Sequence, residues 1–269
     1  MTKHSNPNAR NAESLISPQM LKEGLPPLAA HLEFIEQSRQ QIQRILSGED
    51  SRLFLVVGPC SIHDITAAKE YAIKLRHLSD KISKHFFVVM RTHFEKPRTS
   101  LGWKGLLHDP HLDGSNAIST GLNLSRELLL FLADLGLPAA TEFLDPITFH
   151  YLGDLISWAC IGARTSESQI HRQFASGLPM PVAFKNSTSG NIDVAINGVL
   201  AATCSHSFFG ITEHGSLSIV ETKGNRHAHV ALRGGELKPN YDADSIAYAL
   251  EQLKKNHLPQ QLVIDCSHD

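Results

Sequence analysis

The sequence lacks the features that mark secreted, membrane-embedded and nucleic-acid-binding proteins. Its 269 residues include four cysteines, and no two of these form a Cys-x-x-Cys pair. No apolar run approaches the roughly 18 residues that a membrane-spanning helix needs, and the polar first residues contain no secretory signal. A formal net charge of −2 provides no general attraction to nucleic acid or to a membrane surface. These absences predict a reduced, cytoplasmic protein that binds neither nucleic acid nor membranes.

Seven short apolar runs of β type each end in a polar or charged residue. In chain order they cover residues 53–60, 86–91, 139–142, 160–164, 182–185, 229–233 and 262–268. Helical patterns lie between them, near 64–83, 116–135, 148–157, 166–176, 191–202 and 243–256. This alternation predicts an α/β fold with a parallel sheet, of the TIM (β/α)8 barrel type. Because the sequence supplies seven strands, the expected barrel lacks its eighth strand and last helices.

Three segments depart from this alternation. Residues 1–50 are predicted to form an N-terminal arm with a helix over 28–46, and residues 51–269 the incomplete barrel domain. Residues 1–27 are polar and carry several prolines, which predicts a loosely held segment. Residues 92–115 form a long, charged connection of the kind that is usually functional. Two short β-like runs, 207–212 and 217–221, predict a β-hairpin inserted before the sixth barrel strand.

Cationic residues gather at the predicted strand ends and in the loops that follow them. Active sites of these barrels form at the C-terminal ends of the strands, so the cations are expected to converge on one mouth. Guanidinium groups match the geometry of carboxylates and phosphates, which predicts that the mouth holds anions such as phosphorylated substrates. Any one of these residues alone is better explained as a solvated surface charge. The set comprises Arg91, Lys96, Arg98, Lys104, Arg164, Lys185 and Arg233.

Three further residues are candidates for chemistry at the same mouth. Cys60 follows the first strand and His268 ends the seventh, so both would flank an eighth strand and could bind one divalent metal. From spacing alone, a structural cysteine and an ordinary histidine explain them better. Glu142 ends the third strand, where it either handles a proton, orients a cation, or forms a simple ion pair with an arginine.

Several motifs occur in order along the chain from about residue 10 to residue 269. They are Val57–Asp64, Met90–Arg91 with Phe94–Thr99 and Gly102–Gly105, Ile161–Thr165 with Glu167–Gln169, Phe184–Asn186, Leu232–Gly235 and Asp265–His268. Together they closely resemble the class I 3-deoxy-D-arabino-heptulosonate-7-phosphate (DAHP) synthases. The resemblance implies a metal-dependent condensation of phosphoenolpyruvate with erythrose 4-phosphate, at the first step of the shikimate pathway to chorismate and the aromatic amino acids. The 3-deoxy-octulosonate 8-phosphate synthases fit less well, because they lack the arm and the hairpin.

The resemblance also implies roles for individual residues. Lys96 is expected to carry a proton near the reacting centre, and Glu142 is assigned to catalysis with it. Cys60 and His268 are expected to bind a divalent cation (Mn, Fe, Co or Zn), which polarises the aldehyde as a Lewis acid. Arg98 and Thr99 are expected on the phosphate of erythrose 4-phosphate. The expected contacts to phosphoenolpyruvate are Arg91, Lys104, Arg164, Lys185 and Arg233, with the backbone of Gly162 and Ala163.

The resemblance finally implies features that lie around or beyond the matched motifs. The family continues past the last motif with an eighth strand that carries a Glu ligand and a later segment that carries an Asp ligand. The expectation is therefore a synthase sequence cut short, and the alternative is a non-catalytic remnant or an inactive partner of an intact synthase subunit. The family forms dimers and tetramers, so a homo-oligomer is expected. An aromatic amino acid effector is expected between the arm, the hairpin and the segments near Pro146, His150, Gly177 and Pro179.

Overall fold

The computed structural model describes residues 8, 13–236 and 238–267, and strands alternate with helices along most of that length. The helices are α1 (Pro18–Gly24), α2 (Ala29–Leu46), α3 (Ile65–Ile82), α4 (Ile118–Asp134), α5 (Thr148–Leu152), α6 (Gln169–Ala175), α7 (Asp193–Ala202) and α8 (Ala243–Lys255). A 3₁₀ turn, Gly153–Leu155, follows α5. The strands are β1 (Leu53–Val57), β2 (Phe86–Arg91), β3 (Ala139–Glu142), β4 (Trp158–Ile161), β5 (Val182–Lys185), β6 (Ser207–Ile211), β7 (Leu217–Glu221), β8 (Ala228–Leu232) and β9 (Leu262–Ile264).

Seven of the strands form one curled parallel sheet. Their order is β1-β2-β3-β4-β5-β8-β9, so every strand pairs with the next sheet strand in the chain. The parallel register places Leu53 opposite Phe86 at one edge and Val230 opposite Leu262 at the other. Within the described ranges, β1 and β9 are the edge strands, and both line one cavity of about 910 Å³. The predicted α/β barrel-type fold with seven strands is confirmed.

Alternate side chains of the sheet belong to two separate cores. Val89, Ala140, Ala183 and Ala231 are buried together in the interior of the curled sheet, while their neighbours pack against the helices. Residues two apart on a strand point to the same face. The interior face therefore continues, two residues further along each strand, to the mouth of the sheet. The residues reached in this way are Arg91, Glu142, Lys185 and Arg233.

Helix α2 closes the opposite end of the curled sheet. Its Ile42 is fully buried within the interior cluster. Arg39 donates hydrogen bonds to the carbonyl oxygens of Gly153 at 2.8 Å and Ile156 at 3.0 Å, which satisfies acceptors at the end of a helical turn. The proposed boundary between residues 1–50 and 51–269 stays a prediction. No helix in the described ranges combines the length and the apolar character needed to cross a membrane.

The arm is more ordered than the sequence predicted. The expectation of a loosely held segment is wrong for residues 18–24, which form α1, whereas most of residues 1–12 lie outside the described residues. Ser17 caps the helix by accepting a hydrogen bond from the backbone N–H of Met20, and Pro18 occupies the first turn. Leu21 is 2% exposed because α1 packs on the body of the protein. A tertiary contact therefore stabilises a helix too short to form alone.

The predicted hairpin is confirmed as an antiparallel pair of its own. Strands β6 and β7 place Ile211 opposite Leu217 and form a sheet separate from the barrel sheet. The turn of the hairpin holds α1: the backbone N–H of Gln19 donates to the carbonyl of Glu213 at 2.9 Å. The ammonium group of Lys22 pairs with the Glu213 carboxylate at 2.7 Å. The arm and the hairpin thus form one connected surface.

A fully buried arginine anchors α4. The guanidinium of Arg126 donates to the carbonyl oxygens of Leu25 and Tyr151, both at 2.9 Å. It also makes two hydrogen bonds to the carboxylate of Asp154, at 2.9 and 2.8 Å. Bidentate charge-assisted pairs of this kind are among the stronger hydrogen bonds in proteins. One side chain therefore connects the arm, α4, α5 and the turn after it.

We expect Arg126→Ala to lower the free energy of unfolding by about 3–5 kcal/mol, because it leaves the Asp154 carboxylate and two carbonyls without their partner. Urea unfolding followed by circular dichroism measures the change. Lys255→Ala is the matched control, since its ion pair with Glu251 is exposed and should contribute less than about 1 kcal/mol. Equal losses in the two variants would contradict the anchoring role of Arg126.

Candidate functional site

The strand ends bring three of the predicted cations and a carboxylate to one pocket. Glu142 and Lys185 end β3 and β5, while Arg164 and Arg233 follow β4 and β8. Glu142, Lys185 and Arg233 are each no more than 6% exposed. The pocket has a volume of about 30 Å³ and is lined by Pro97, Glu142, Ala163, Arg164, Lys185 and Arg233. In this state it has room for about one water-sized group.

Position 162 needs a glycine, because the Glu142 carboxylate leaves no room there for a side chain. A Cβ atom on Gly162 would lie 2.1 Å from Oε1 of Glu142, so any larger residue would displace that side chain. Oε1 of Glu142 is itself buried without a hydrogen-bond partner among the described residues. Buried acceptors are normally paired, because desolvation without a hydrogen bond is costly. Within the described ranges this carboxylate oxygen is therefore an exception to that rule.

Lys185 is held by an aspartate that sequence reasoning did not select. Its Nζ atom lies 2.8 Å from Oδ2 of Asp265, and both side chains are largely buried. Burial alone would lower the pKa of Lys185, but Cys160, Glu142 and Asp265 outweigh it, so the pKa is raised and the ammonium group stays charged. The signal that could have identified Asp265 is its position two residues after Val263, which faces the sheet interior.

Cys60 and Lys96 lie together on the other side of the mouth. Nζ of Lys96 lies 2.6 Å from Sγ of Cys60, and this hydrogen bond lowers the pKa of the thiol, with smaller contributions from Arg91 and Lys185. Arg91 donates to the carbonyl oxygen of Cys60 at 3.1 Å, whereas its Nε is buried without a partner in the described part of the chain. The predicted metal ligand His268 lies outside the described residues.

The long connection over 92–115 folds back on itself and presents Lys96. Glu95 is 4% exposed and accepts hydrogen bonds from the backbone N–H groups of Leu144 and Asp145, both at 3.3 Å. The N–H of Lys96 donates to the carbonyl of Lys104 at 2.8 Å. Gly105 adopts φ +108°, and a Cβ there would lie 2.2 Å from the Phe94 carbonyl oxygen. Only glycine fits this turn.

The remaining predicted residues lie on the outer part of the mouth. Arg164 donates from Nε to Oγ1 of Thr99 at 3.0 Å. A residue predicted to bind phosphoenolpyruvate therefore contacts one predicted to bind erythrose 4-phosphate. Arg98 donates to the carbonyl of Trp103 at 2.8 Å. The side chain of Lys104 is exposed and does not line the small pocket. Arg91, at the end of β2, is also outside that lining, as are Lys96, Arg98 and Thr99 on the connection that follows it.

Comparison with known proteins decides the family. The chain matches the model of the DAHP synthetase I family over residues 33–269. It belongs to that family. It is 50% identical over 256 residues to the Trp-sensitive phospho-2-dehydro-3-deoxyheptonate aldolase of Escherichia coli K12, and the match covers 95% of this chain and 73% of the relative. It is 50% identical over 259 residues to the Phe-sensitive enzyme of the same strain, covering 96% of this chain and 74% of the relative.

A solved structure agrees with this assignment. The phospho-2-dehydro-3-deoxyheptonate aldolase of Francisella tularensis SCHU S4 is 47% identical, with a TM-score of 0.95 over 97% of this chain and 76% of that one. The motif resemblance to DAHP synthases is thus confirmed. DAHP synthases are metal-dependent transferases of aromatic amino acid biosynthesis, and phosphoenolpyruvate and erythrose 4-phosphate are the substrates of the first step of the shikimate pathway.

Removal of the Lys96 ammonium group should make the Cys60 thiol less reactive. Because the hydrogen bond from Lys96 lowers the thiol pKa, Lys96→Met should raise that pKa and decrease the thiolate fraction near neutral pH. We expect alkylation of Cys60 by iodoacetamide to slow several-fold, measured by peptide mass spectrometry. Cys204 is also exposed and follows α7, far along the chain from Cys60, so its rate provides the internal control. An unchanged Cys60 rate would contradict the pairing.

Proposed function

We propose that the pocket at the strand ends binds the phosphate and carboxylate of phosphoenolpyruvate in this DAHP synthase. The observation that carries the proposal is the convergence of Arg164, Lys185 and Arg233 from three different strands on one pocket. Two of these cations are nearly buried, and guanidinium and ammonium groups make strong charge-assisted hydrogen bonds to phosphate and carboxylate. Arg91 and Lys104 are assigned to the same substrate, and the backbone of Gly162 and Ala163 would approach it closely.

Erythrose 4-phosphate would bind on the outer side of this pocket. Arg98 and Thr99 are assigned to its phosphate, and the hydrogen bond between Thr99 and Arg164 would bring the two substrates side by side. The enol carbon of phosphoenolpyruvate attacks the aldehyde, water adds at the adjacent carbon, and phosphate leaves. The pocket cations would stabilise the charge that accumulates on the departing phosphate. Lys96 and Glu142 are the proposed proton carriers.

The metal of the family would bind at Cys60 and His268. The Cys60 side chain is exposed at the mouth, and Lys96 lowers its pKa, which favours the thiolate that binds metal. A first-row cation such as Mn, Fe, Co or Zn suits a thiolate and an imidazole. When bound, it supplies a Lewis acid for the aldehyde. The expectation of a synthase sequence cut short is not confirmed, and the cytoplasmic location that four free cysteines favour stays a prediction.

An aromatic amino acid is the proposed effector. The curated relatives are a Trp-sensitive and a Phe-sensitive enzyme. In this chain His150 lies near enough to Glu213 and Lys22 for their charges to act on its pKa, which burial lowers. A Cβ on Gly177 would lie 2.8 Å from Thr222, just after the hairpin. The arm, α5, the hairpin and the segment from Gly177 to Pro179 are therefore close enough to frame one small ligand, and Pro146 is assigned to the same site.

We propose that the protein is a homo-oligomer, a dimer or a tetramer. The hairpin exposes large apolar side chains that a monomer would leave in water. Phe209, Leu217 and Ile219 are 94%, 90% and 74% exposed, and Phe209 lies directly opposite Ile219 on the hairpin. Contiguous apolar patches of this kind mark protein interfaces more often than free surface.

Arg164→Ala should weaken phosphoenolpyruvate binding about tenfold or more, since a charge-assisted contact contributes about 1.5–3 kcal/mol. Isothermal calorimetry measures the affinity, and Lys74→Ala, an exposed change on α3 away from the mouth, is the matched control. Equal affinities in the three proteins would place the anion site elsewhere. A turnover assay on the same samples separates a working synthase from the alternative, a non-catalytic partner that binds phosphoenolpyruvate without converting it.

One of tryptophan, phenylalanine and tyrosine should raise the melting temperature of the protein. A ligand at 100 times its Kd stabilises the folded state by about 2.7 kcal/mol, which corresponds to a shift of roughly 5 °C or more for a chain of this size. His150→Ala should remove most of the shift, whereas Lys74→Ala should keep it. If none of the three amino acids shifts the melting temperature, the effector proposal fails.

A further inference from the structure

A buried carboxylate in the loop after β2 has no role in the reaction proposed above. Glu95 is 4% exposed. Its Oε2 accepts a hydrogen bond from the backbone N–H of Leu144 at 3.3 Å, and the hydroxyl of Thr148 lies 3.2 Å from the same oxygen. Its Oε1 accepts from the N–H of Asp145 at 3.3 Å and lies 3.5 Å from Nε2 of His108. Both oxygens of this carboxylate therefore face hydrogen-bond donors of the protein.

A carboxylate fits this position better than an amide. An ionised carboxylate only accepts hydrogen bonds, whereas the side-chain amide of glutamine has one accepting end and one donating end. With glutamine at position 95, the donating end would point at the N–H of either Leu144 or Asp145. Leaving a buried N–H without its acceptor destabilises that arrangement. The charge and length of Glu95 are therefore matched to the turn after β3, which these two residues form.

The same turn is held from its other side by a histidine. Nε2 of His171 lies 2.8 Å from the carbonyl oxygen of Leu144, and its Nδ1 lies 2.9 Å from the hydroxyl of Ser168. Because a carbonyl oxygen only accepts, Nε2 carries the proton of that hydrogen bond. His171 belongs to α6, which follows β4. The backbone of Leu144 thus connects the segment after β2 to the segment after β4.

A further hydrogen bond closes these contacts into a ring. Arg164, directly after β4, donates from Nε to Oγ1 of Thr99, in the loop after β2, at 3.0 Å. The segments that follow β2, β3 and β4 are therefore joined pairwise. Lys96 lies between Glu95 and Thr99 in this ring, and its Nζ reaches Sγ of Cys60 at 2.6 Å. The place of the Lys96 ammonium group at the mouth thus depends on how the ring holds its backbone.

We propose that Glu95 is a positioning residue for the erythrose 4-phosphate side of the mouth. It fixes the start of segment 96–99, so that the cations and the hydroxyl of this segment meet the substrate in one arrangement. The identity of the substrate rests on the function proposed above, whereas the hydrogen bonds that hold the segment do not. The phosphoenolpyruvate pocket depends less on Glu95, because Lys185 and Arg233 are placed by β5 and β8, which are not part of the ring.

Calorimetric titration of Glu95→Gln with each substrate separates positioning from a general structural effect. We expect erythrose 4-phosphate to bind at least about tenfold more weakly, since a misplacement of about 1 Å can cost 100-fold in a site. The affinity for phosphoenolpyruvate should stay close to that of the parent. Glu70→Gln, an exposed change on α3, is the matched control. Equal losses for the two substrates, or parent-like affinity for both, would overturn the proposal.

Amide hydrogen exchange of the ligand-free protein tests the positioning without any substrate. In Glu95→Gln we expect exchange over 94–107 and 143–146 to accelerate several-fold, because the N–H groups of Leu144 and Asp145 lose their acceptor. Exchange in β5 and β8 should match the parent. If the parent binds no erythrose 4-phosphate, the substrate assignment fails and this measurement alone decides the positioning. Parent-like exchange in both segments, or uniform acceleration along the chain, overturns it.

A second variant keeps the test decisive if thermal melts show that Glu95→Gln does not fold. Glu95 holds the loop after β2 through the turn, so loosening the turn from its other side should have the same local effect. His171→Phe removes the donor to the Leu144 carbonyl and keeps an aromatic ring in place. We expect faster exchange over 94–107 in this variant, with β5 and β8 unchanged. Exchange over 94–107 at the parent rate would then overturn the proposal.

Discussion

The two-residue repeat of the strands is the constraint on which the rest of the structure depends. In parallel strands held in register, each position faces either the interior of the curled sheet or the surrounding helices. Val89, Ala140, Ala183 and Ala231 fill the interior, and the next residue on the same face of each strand is charged. A one-residue slip of β5 would turn Lys185 into the helix layer and place Phe184 at the mouth. Packing and chemistry are therefore fixed by one and the same register.

The buried charges at the mouth of the sheet must also be balanced. Lys185 and Arg233 are almost completely removed from water, so their charges need partners within the protein or in a ligand. Asp265, directly after the edge strand β9, provides one such partner. Because β8 separates β5 from β9, this ion pair spans the interior face and helps to hold the edge strand. The features that prepare the site for anions thus also stabilise the sheet.

The sequence predicted the strands and their functional ends because both follow from short-range patterns. Apolar runs that close on Arg91, Glu142 and Lys185 need no knowledge of the fold to be recognised. Helix α1 was missed because Leu21 is buried by contacts with distant segments, which a seven-residue pattern does not reveal. Asp265 was not selected as a site residue, because its contact with Lys185 joins segments that β8 separates in the sheet. The roles of the individual site residues stay predictions.

The order of the strands has a consequence for how the protein is made. Each strand of the seven-stranded sheet pairs with the strand of that sheet that precedes it in the chain, from β1 through to β9. Every such pairing closes a loop of limited length, so it can form as soon as its second strand has left the ribosome. The sheet can grow from one edge during synthesis, without waiting for a distant segment. The charged strand ends are therefore made one at a time, and Asp265, the counter-ion of Lys185, is made directly after β9, later than the six other strands of the described sheet.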